Sequence, residues 1–169
     1  MFDKGERVAL QQRGEYWYGD GPGDVWDYFV WWTRDSKEQV KHWKQAICQC
    51  GNATFEVTLD EEAGYAERIC TRCKAAHRML HEGEQPPCGD PEVDEELRRA
   101  EAECDPQACA CLCEGEEFEV IGVTAPFQGD ADSAKWFYLG LRCTDCGCLG
   151  CYASWLERYN DYRKLLAML

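Results

Sequence analysis

Cysteine is the residue with the most chemistry to offer in this chain, and the thirteen copies are not scattered. Residues 47–57 read ICQCGNATFEV, and residues 110–120 read ACLCEGEEFEV. In both, a Cys-x-Cys pair is followed at the same distance by Phe-Glu-Val. Cys48 lies seven residues before Phe55, and Cys111 lies seven before Phe118. Each copy then acquires a Cys-Thr-x-Cys: Cys70 and Cys73 in the first, Cys143 and Cys146 in the second. Two such units in one register are an internal duplication. Two thiolates from one tight turn and two from another meet the tetrahedral preference of Zn2+, with Zn–S distances of about 2.3 Å. The expected ligands are Cys48, Cys50, Cys70 and Cys73 for one ion, and Cys111, Cys113, Cys143 and Cys146 for a second.

Other fates for these thiols fit less well. An odd cysteine count excludes complete internal disulfide pairing. Redox Cys-x-x-Cys pairs usually occur once, at a helix start, whereas here two copies each accompany a Cys-x-Cys. Cys88, Cys104, Cys109, Cys148 and Cys151 fall outside the repeat. They read as packing residues or exposed thiols, with a third metal site as the alternative. His77 and His81 follow Cys73 at i and i+4 and could imitate a Cys-Cys-His-His finger, but four thiolates are already supplied. His42 reads as a surface residue. The first pair is one residue shorter than the usual Cys-x-x-Cys. Gly51 eases that turn by permitting a positive φ. Glu114 holds the same position in the second copy, so the first site is expected to be the more regular.

The elements that must hold these turns follow from local pattern. Residues 6–11 and 15–18 read as short strands. A Gly/Pro/Asp turn cluster at 19–24 precedes Val25 to Trp32, VWDYFVWW, which reads as a strand buried on both faces. Asp35 or Ser36 would cap a helix to about Ala46, with Val40, Trp43 and Ile47 on its apolar face; Trp43 would then pack under the first metal site. Residues 54–59 and 65–69 form a hairpin about Asp60 to Gly64. A break at 85–90 leads into an acidic helix with Asp90 as cap and Pro91 at its first position, ending near Cys104 and lying on the surface. Residues 118–124, 135–141 and 149–155 read as strands, with a ten-residue insertion at the second hairpin. A terminal helix spans about 160–168.

These segments divide the chain into 1–47 (aromatic strands and a helix), 48–81 (first ribbon), 82–108 (acidic linker with a short helix), 109–155 (second ribbon) and 156–169 (C-terminal helix). The fold class is α+β, small and β-rich: two zinc-ribbon-like β units, an N-terminal aromatic antiparallel sheet and short helices. Net charge is −14. It concentrates in residues 82–119, where fourteen acids face two bases. Phosphate neutralisation needs clustered Lys and Arg, so this charge argues against direct nucleic-acid binding. No stretch approaches the roughly 18–20 apolar residues of a membrane helix, and no signal segment is visible, so a cytoplasmic location is expected.

The eight cysteines give the chain a resemblance to tandem zinc-ribbon proteins over 48–81 and 111–151. That resemblance implies two structural Zn2+ ions and says little of function, because ribbons serve transcription, translation, enzymes and adaptors. The first copy's Cys48-x-Cys50-Gly51-x-x-x-Phe55-x-Val57 also resembles the opening of the glutathione-dependent formaldehyde-activating family, zinc carbon–sulfur lyases. That family's central Cys-x-Cys-x-x-Cys is absent, since Arg68 stands where its third cysteine would be. The expected function is therefore a non-enzymatic, zinc-binding protein-interaction module. Its acidic surface would neutralise a partner with a basic surface, as an inhibitor or immunity-type protein does to a toxin or nuclease. The alternatives are a zinc lyase-like or thiol oxidoreductase enzyme, and an adaptor of a transcription or translation complex.

Overall fold

The computed structural model describes residues 10–81 and 91–169. The beginning of the expected strand at 6–11, the break at 85–90 with its Asp90 cap, and Cys88 lie outside them. Ten strands form one antiparallel sheet: β1 (Gln11–Arg13), β2 (Tyr16–Tyr18), β3 (His42–Gln45), β4 (Phe55–Asp60), β5 (Tyr65–Cys70), β6 (Ala76–His81), β7 (Gln107–Ala108), β8 (Phe118–Ala125), β9 (Ala134–Cys143) and β10 (Cys148–Tyr159). Three helices accompany them: α1 (Pro22–Trp32), α2 (Pro91–Ala102) and α3 (Tyr162–Leu166). The main path runs β1-β2-β10-β9-β8-β4-β5-β6. The fold is thus β-rich α+β, as expected.

The duplication is visible in the backbone. Phe55 pairs with Cys70, as Phe118 pairs with Cys143. Ile69 faces Ala76 across β5–β6, as Arg142 faces Leu149 across β9–β10. The two units meet where the equivalent residues Phe55 and Phe118 pair with each other. A local two-fold axis therefore passes between β4 and β8.

Each unit also sends its lead-in strand to the other. β3 precedes the first cysteine pair but lies against β8 of the second unit, with Gln45 opposite Ile121. β7 precedes the second pair but lies against β4 of the first, with Ala108 opposite Thr58. The bonds that follow match as well: the Ala46 amide donates to Val120 O at 2.9 Å, and the Cys109 amide to Val57 O at 2.8 Å. The exchange makes the two units parts of one sheet.

The larger core gathers Phe55, Val57 and Met79 of the first unit with Phe118, Phe137, Leu139 and Leu141 of the second, sealed by Leu165, Leu166 and Leu169. The first hairpin folds toward β10, where Trp155 Nε1 donates to Glu61 O at 2.9 Å. Arg68, buried in β5, donates to Leu169 O from Nε and Nη2 and lies over the Phe55 ring. A smaller core on the opposite face of β8 and β9 holds Ile121, Val123 and Tyr138 against Val25 and Phe29 of α1.

Two expected elements are exchanged in type. Residues 25–32 form a helix. Pro22 occupies the first turn, and Asp24 Oδ2 accepts from the Asp20 and Gly21 amides at 2.7 and 3.1 Å. These start signals outweigh the β preference of the aromatics, and the helix buries Val25 and Phe29, four residues apart, on one face only. The helix expected at 35–46 is instead a turn and an extended segment that becomes β3. Of its supposed apolar face only Val40 is buried; Trp43 is 40% exposed and Ile47 50%. Trp43 stacks on Trp26 of α1 rather than beneath the first cysteine group. His42 is likewise strand, its ring stacked on Tyr162. β6 adds a strand where none was expected. The acidic helix is present as α2, and the terminal helix is shorter, confined to Tyr162–Leu166.

Candidate metal centres

Each half of the expected ligand set converges. The Sγ atoms of Cys48, Cys50, Cys70 and Cys73 lie within 4.8 Å of one another, as do those of Cys111, Cys113, Cys143 and Cys146. Cys48 Sγ is 3.5 Å from Cys73 Sγ and Cys50 Sγ is 3.6 Å from Cys70 Sγ. The second group repeats this, with 3.5 Å for Cys111–Cys146 and 3.6 Å for Cys113–Cys143. A disulfide would need about 2.05 Å. A tetrahedron with bonds of about 2.3 Å has an edge of about 3.8 Å, so the spacing matches sulfurs that share a central ion. Either group could hold a metal ion.

The turns that carry the sulfurs are built alike. The amide after each Cys-x-Cys closes on the first cysteine: Gly51 N to Cys48 O at 2.8 Å, Glu114 N to Cys111 O at 2.9 Å. After each Cys-x-x-Cys, Lys74 N reaches Cys70 O at 3.0 Å and Gly147 N reaches Cys143 O at 2.9 Å. Thr71 and Thr144 tie the second turn to the strand entrance, donating from N to Thr54 O and Glu117 O. Every turn leaves through a left-handed residue: Gly51 at φ +83, Lys74 at +60, Glu114 at +69 and Gly147 at +79. Each unit thus contains one glycine and one side-chain-bearing residue in that conformation, in opposite turns. The first site is not the more regular of the two, because the strain expected only at Glu114 is balanced by Lys74.

The surroundings differ between the groups. Asn52 Nδ2 donates to Cys70 Sγ at 3.4 Å and to Thr71 Oγ1 at 3.0 Å. Its counterpart is Gly115, where a Cβ would lie 2.9 Å from Cys143 Sγ, 3.2 Å from Cys113 Sγ and 2.7 Å from Asp145 Oδ2. The guanidinium of Arg68 is buried beside the first group, and Leu141 holds the matching place in the second. Burial lowers the Arg68 pKa, while the neighbouring Cys48 and Cys70 thiolates oppose that shift.

Ionisation is uneven within each group. Burial disfavours the Cys70 thiolate, but the Cys73 amide, the Asn52 carboxamide and the Arg72 amide outweigh it and bring the pKa down to about 5. The Ala75 amide favours the Cys73 thiolate, yet the neighbouring Cys48 and Cys70 thiols push Cys73 up to about 11. In the second group the Gly115 amide lowers Cys113, while burial pushes Cys111 up to about 11. Each group thus holds one thiol below its ordinary value, Cys70 in the first and Cys113 in the second, and a bound cation would favour the thiolate form of its ligands.

Among the described residues no third group of three or more ligand side chains forms. Cys148 and Cys151 lie in β10 and Cys109 directly follows β7; burial pushes Cys109 up to about 11 and Cys151 up to about 12. His77 turns away from Cys73, its Nε2 lying 2.9 Å from Met168 O. No described helix is long and apolar enough to cross a membrane. The repeat pointed to all eight cysteines. It gave no sign of Asn52, Arg68 or Gly115 as their neighbours, although each occupies a place where the two copies differ.

The class defined here is a β-rich α+β protein with two four-cysteine centres. Compared with family models, curated proteins and solved structures, the chain gives no significant match.

Proposed function

We propose that the protein is a non-enzymatic, zinc-stapled interaction module. Two Zn2+ ions bind through Cys48, Cys50, Cys70 and Cys73, and through Cys111, Cys113, Cys143 and Cys146. The observation that carries this reading is the closed set of four sulfurs at each centre. With all four positions taken by thiolate there is no place on the ion for a substrate or an activated water, which is the arrangement of structural zinc. Such an ion contributes folding free energy directly, about 10–16 kcal/mol in zinc-finger peptides. Each four-thiolate centre carries a formal −2, so both ions together leave the molecule more acidic than its sequence charge. A protein of this charge is suited to a basic partner, because complementary fields speed association and steer register. The role would be that of an inhibitor or immunity-type protein holding a toxin or nuclease, or of an adaptor on a larger assembly, in the cytoplasm.

A lyase-like or oxidoreductase activity has less support. Arg68 occupies the place of the third cysteine that the formaldehyde-activating family would require, and its guanidinium is committed to Leu169 O. Metal analysis separates the readings. The module should contain two zinc ions per chain, and a strong chelator should remove them with loss of the β-sheet circular dichroism signal. An unchanged spectrum and thermal transition after chelation would overturn the structural-zinc reading. Affinity capture from the native host at low and high salt tests the partner: a specific protein recovered at low salt and lost at high salt is expected.

A further inference from the structure

A cleft of about 440 Å³ opens between the segment that leads into β3 and the loop that joins β8 to β9. That loop, residues 126–133, is twice the length of 61–64, which joins β4 to β5 in the first unit. The cleft therefore arises where the two copies differ. Both walls are fixed by their own bonds. The buried Ser133 hydroxyl accepts from Phe127 N at 2.9 Å and donates to Asp130 O at 2.7 Å, and His42 Nε2 lies 2.8 Å from Ala131 O. On the other side, Lys41 N donates to Thr124 O at 2.9 Å and the Val40 amide to Thr33 Oγ1 at 3.3 Å. Glu38 is held by Lys135 and by Trp136 Nε1.

Charge here runs against that of the whole molecule. Lys37 and Lys41 line the cleft and are exposed. Among the described residues neither ammonium is paired with a carboxylate. Glu38 already answers Lys135, and Asp130 Oδ1 accepts from the Asp132 amide at 3.2 Å. Three ammonium groups thus stand against two carboxylates, which leaves one positive charge in a protein of −14. Phe127, 37% exposed, supplies apolar surface in the same cleft.

We propose that this cleft binds a small aromatic monocarboxylate, its charge answered by Lys37 and Lys41 and its ring resting on Phe127. The volume falls within the range of about 300–1,000 Å³ that small-molecule sites occupy. An ionised acceptor makes hydrogen bonds roughly twice as strong as a neutral one. A lysine ammonium is a mobile point charge on a flexible stem, so two of them can close on one carboxylate from different directions. The single surplus positive charge suits a singly charged anion, whereas a phosphate dianion would bring more charge than the lining balances and would face Asp130. Aromatic rings prefer offset or edge contacts with one another, so the exposed part of Phe127 favours a flat body. No cysteine lines the cleft, so this ligand goes beyond the zinc-stapled reading and does not depend on it.

The test is a titration of the 15N-labelled full chain, as purified, with sodium benzoate, followed at the backbone amides. Sodium acetate, benzyl alcohol and phenyl phosphate at matched ionic strength serve as comparison arms: charge without ring, ring without charge, and ring with a dianion. Saturable shifts are expected at Lys37, Lys41 and residues 127–131, with each comparison arm several-fold weaker. Lys37→Gln combined with Lys41→Gln should weaken benzoate binding several-fold and leave the amide spectrum elsewhere in place. Phe127→Ala should weaken benzoate several-fold while the smaller acetate response persists. Benzoate shifts no larger than those from acetate or benzyl alcohol, or unchanged in the double lysine variant, would overturn the proposal. Tighter binding of phenyl phosphate would overturn the carboxylate assignment. Absence of zinc from the purified chain, with a saturable benzoate response, would count against the metal reading alone.

Discussion

At the residue scale, the cysteine turns set a demanding rule: the residue after each pair is left-handed. Gly51 and Gly147 satisfy it without a Cβ, whereas Lys74 and Glu114 accept a cost of about 1–2 kcal/mol each. The two glycines are not equivalent. A Cβ at Gly51 meets nothing within 4 Å, but one at Gly147 lies 2.7 Å from the Gly19 carbonyl oxygen. Gly51→Ala should therefore cost about 1–2 kcal/mol, and Gly147→Ala more, in denaturant melts of the zinc-loaded protein. Reversal of that order would show that the backbone contact yields easily. Gly115→Ala has a different target, because its new methyl would press on Cys143 and Cys113. This variant should release zinc at a lower concentration of competing chelator than the wild type, read with a colorimetric zinc indicator. The eight sulfurs were legible in the sequence because a repeat needs no geometry to be seen. Their neighbours were not, since Asn52 and Arg68 reach the first group only after the strands have paired.

At the scale of elements, α1 and β3 show how local pattern and tertiary burial compete. VWDYFVWW has the composition of a strand, and residues 35–46 have the spacing of a helix. The Gly-Pro-Gly-Asp start decides the first case. In the second, an open edge of β8 decides: His42 through Gln45 pair with Thr124 through Ile121, satisfying backbone groups that a short helix would have bonded internally. An isolated segment of that length gains little from helix formation, so the edge wins. The hairpins were legible because their alternation and turns agree with the pairing they adopt. α1 buries only Val25 and Phe29 completely, so its attachment depends on very few side chains. Phe29→Ala should cost about 3–5 kcal/mol in urea unfolding. It should also disturb the Trp26 and Trp43 indole signals, because α1 carries Trp26 against Trp43. A loss well under that range would mean that the helix is held chiefly by the Trp17–Trp31 and Trp32–Tyr138 contacts.

At the scale of the whole molecule, the exchange of lead-in strands links the two centres. The segment leading to Cys48 is held by β8, and the segment leading to Cys111 is held by β4. Loosening either centre therefore releases a strand from the other unit's hairpin. Cys70→Ser combined with Cys73→Ser should lower hydrogen-exchange protection in β8 and weaken zinc retention at the second centre, and the native protein should melt in one transition. Two separate transitions, or an untouched second centre, would mean that the shared sheet transmits nothing. The pairing of Phe55 with Phe118, and of each unit's lead-in strand with its counterpart's hairpin, has a historical consequence. The arrangement is that of a two-fold homodimer whose subunits have been joined end to end, each still swapping an arm with the other. One ancestral hairpin with one metal could have built the centre of this sheet from two copies. Once fused, the halves were free to diverge, and the asymmetries mark where they did: the longer loop between β8 and β9, Arg68 opposite Leu141, and Asn52 opposite Gly115.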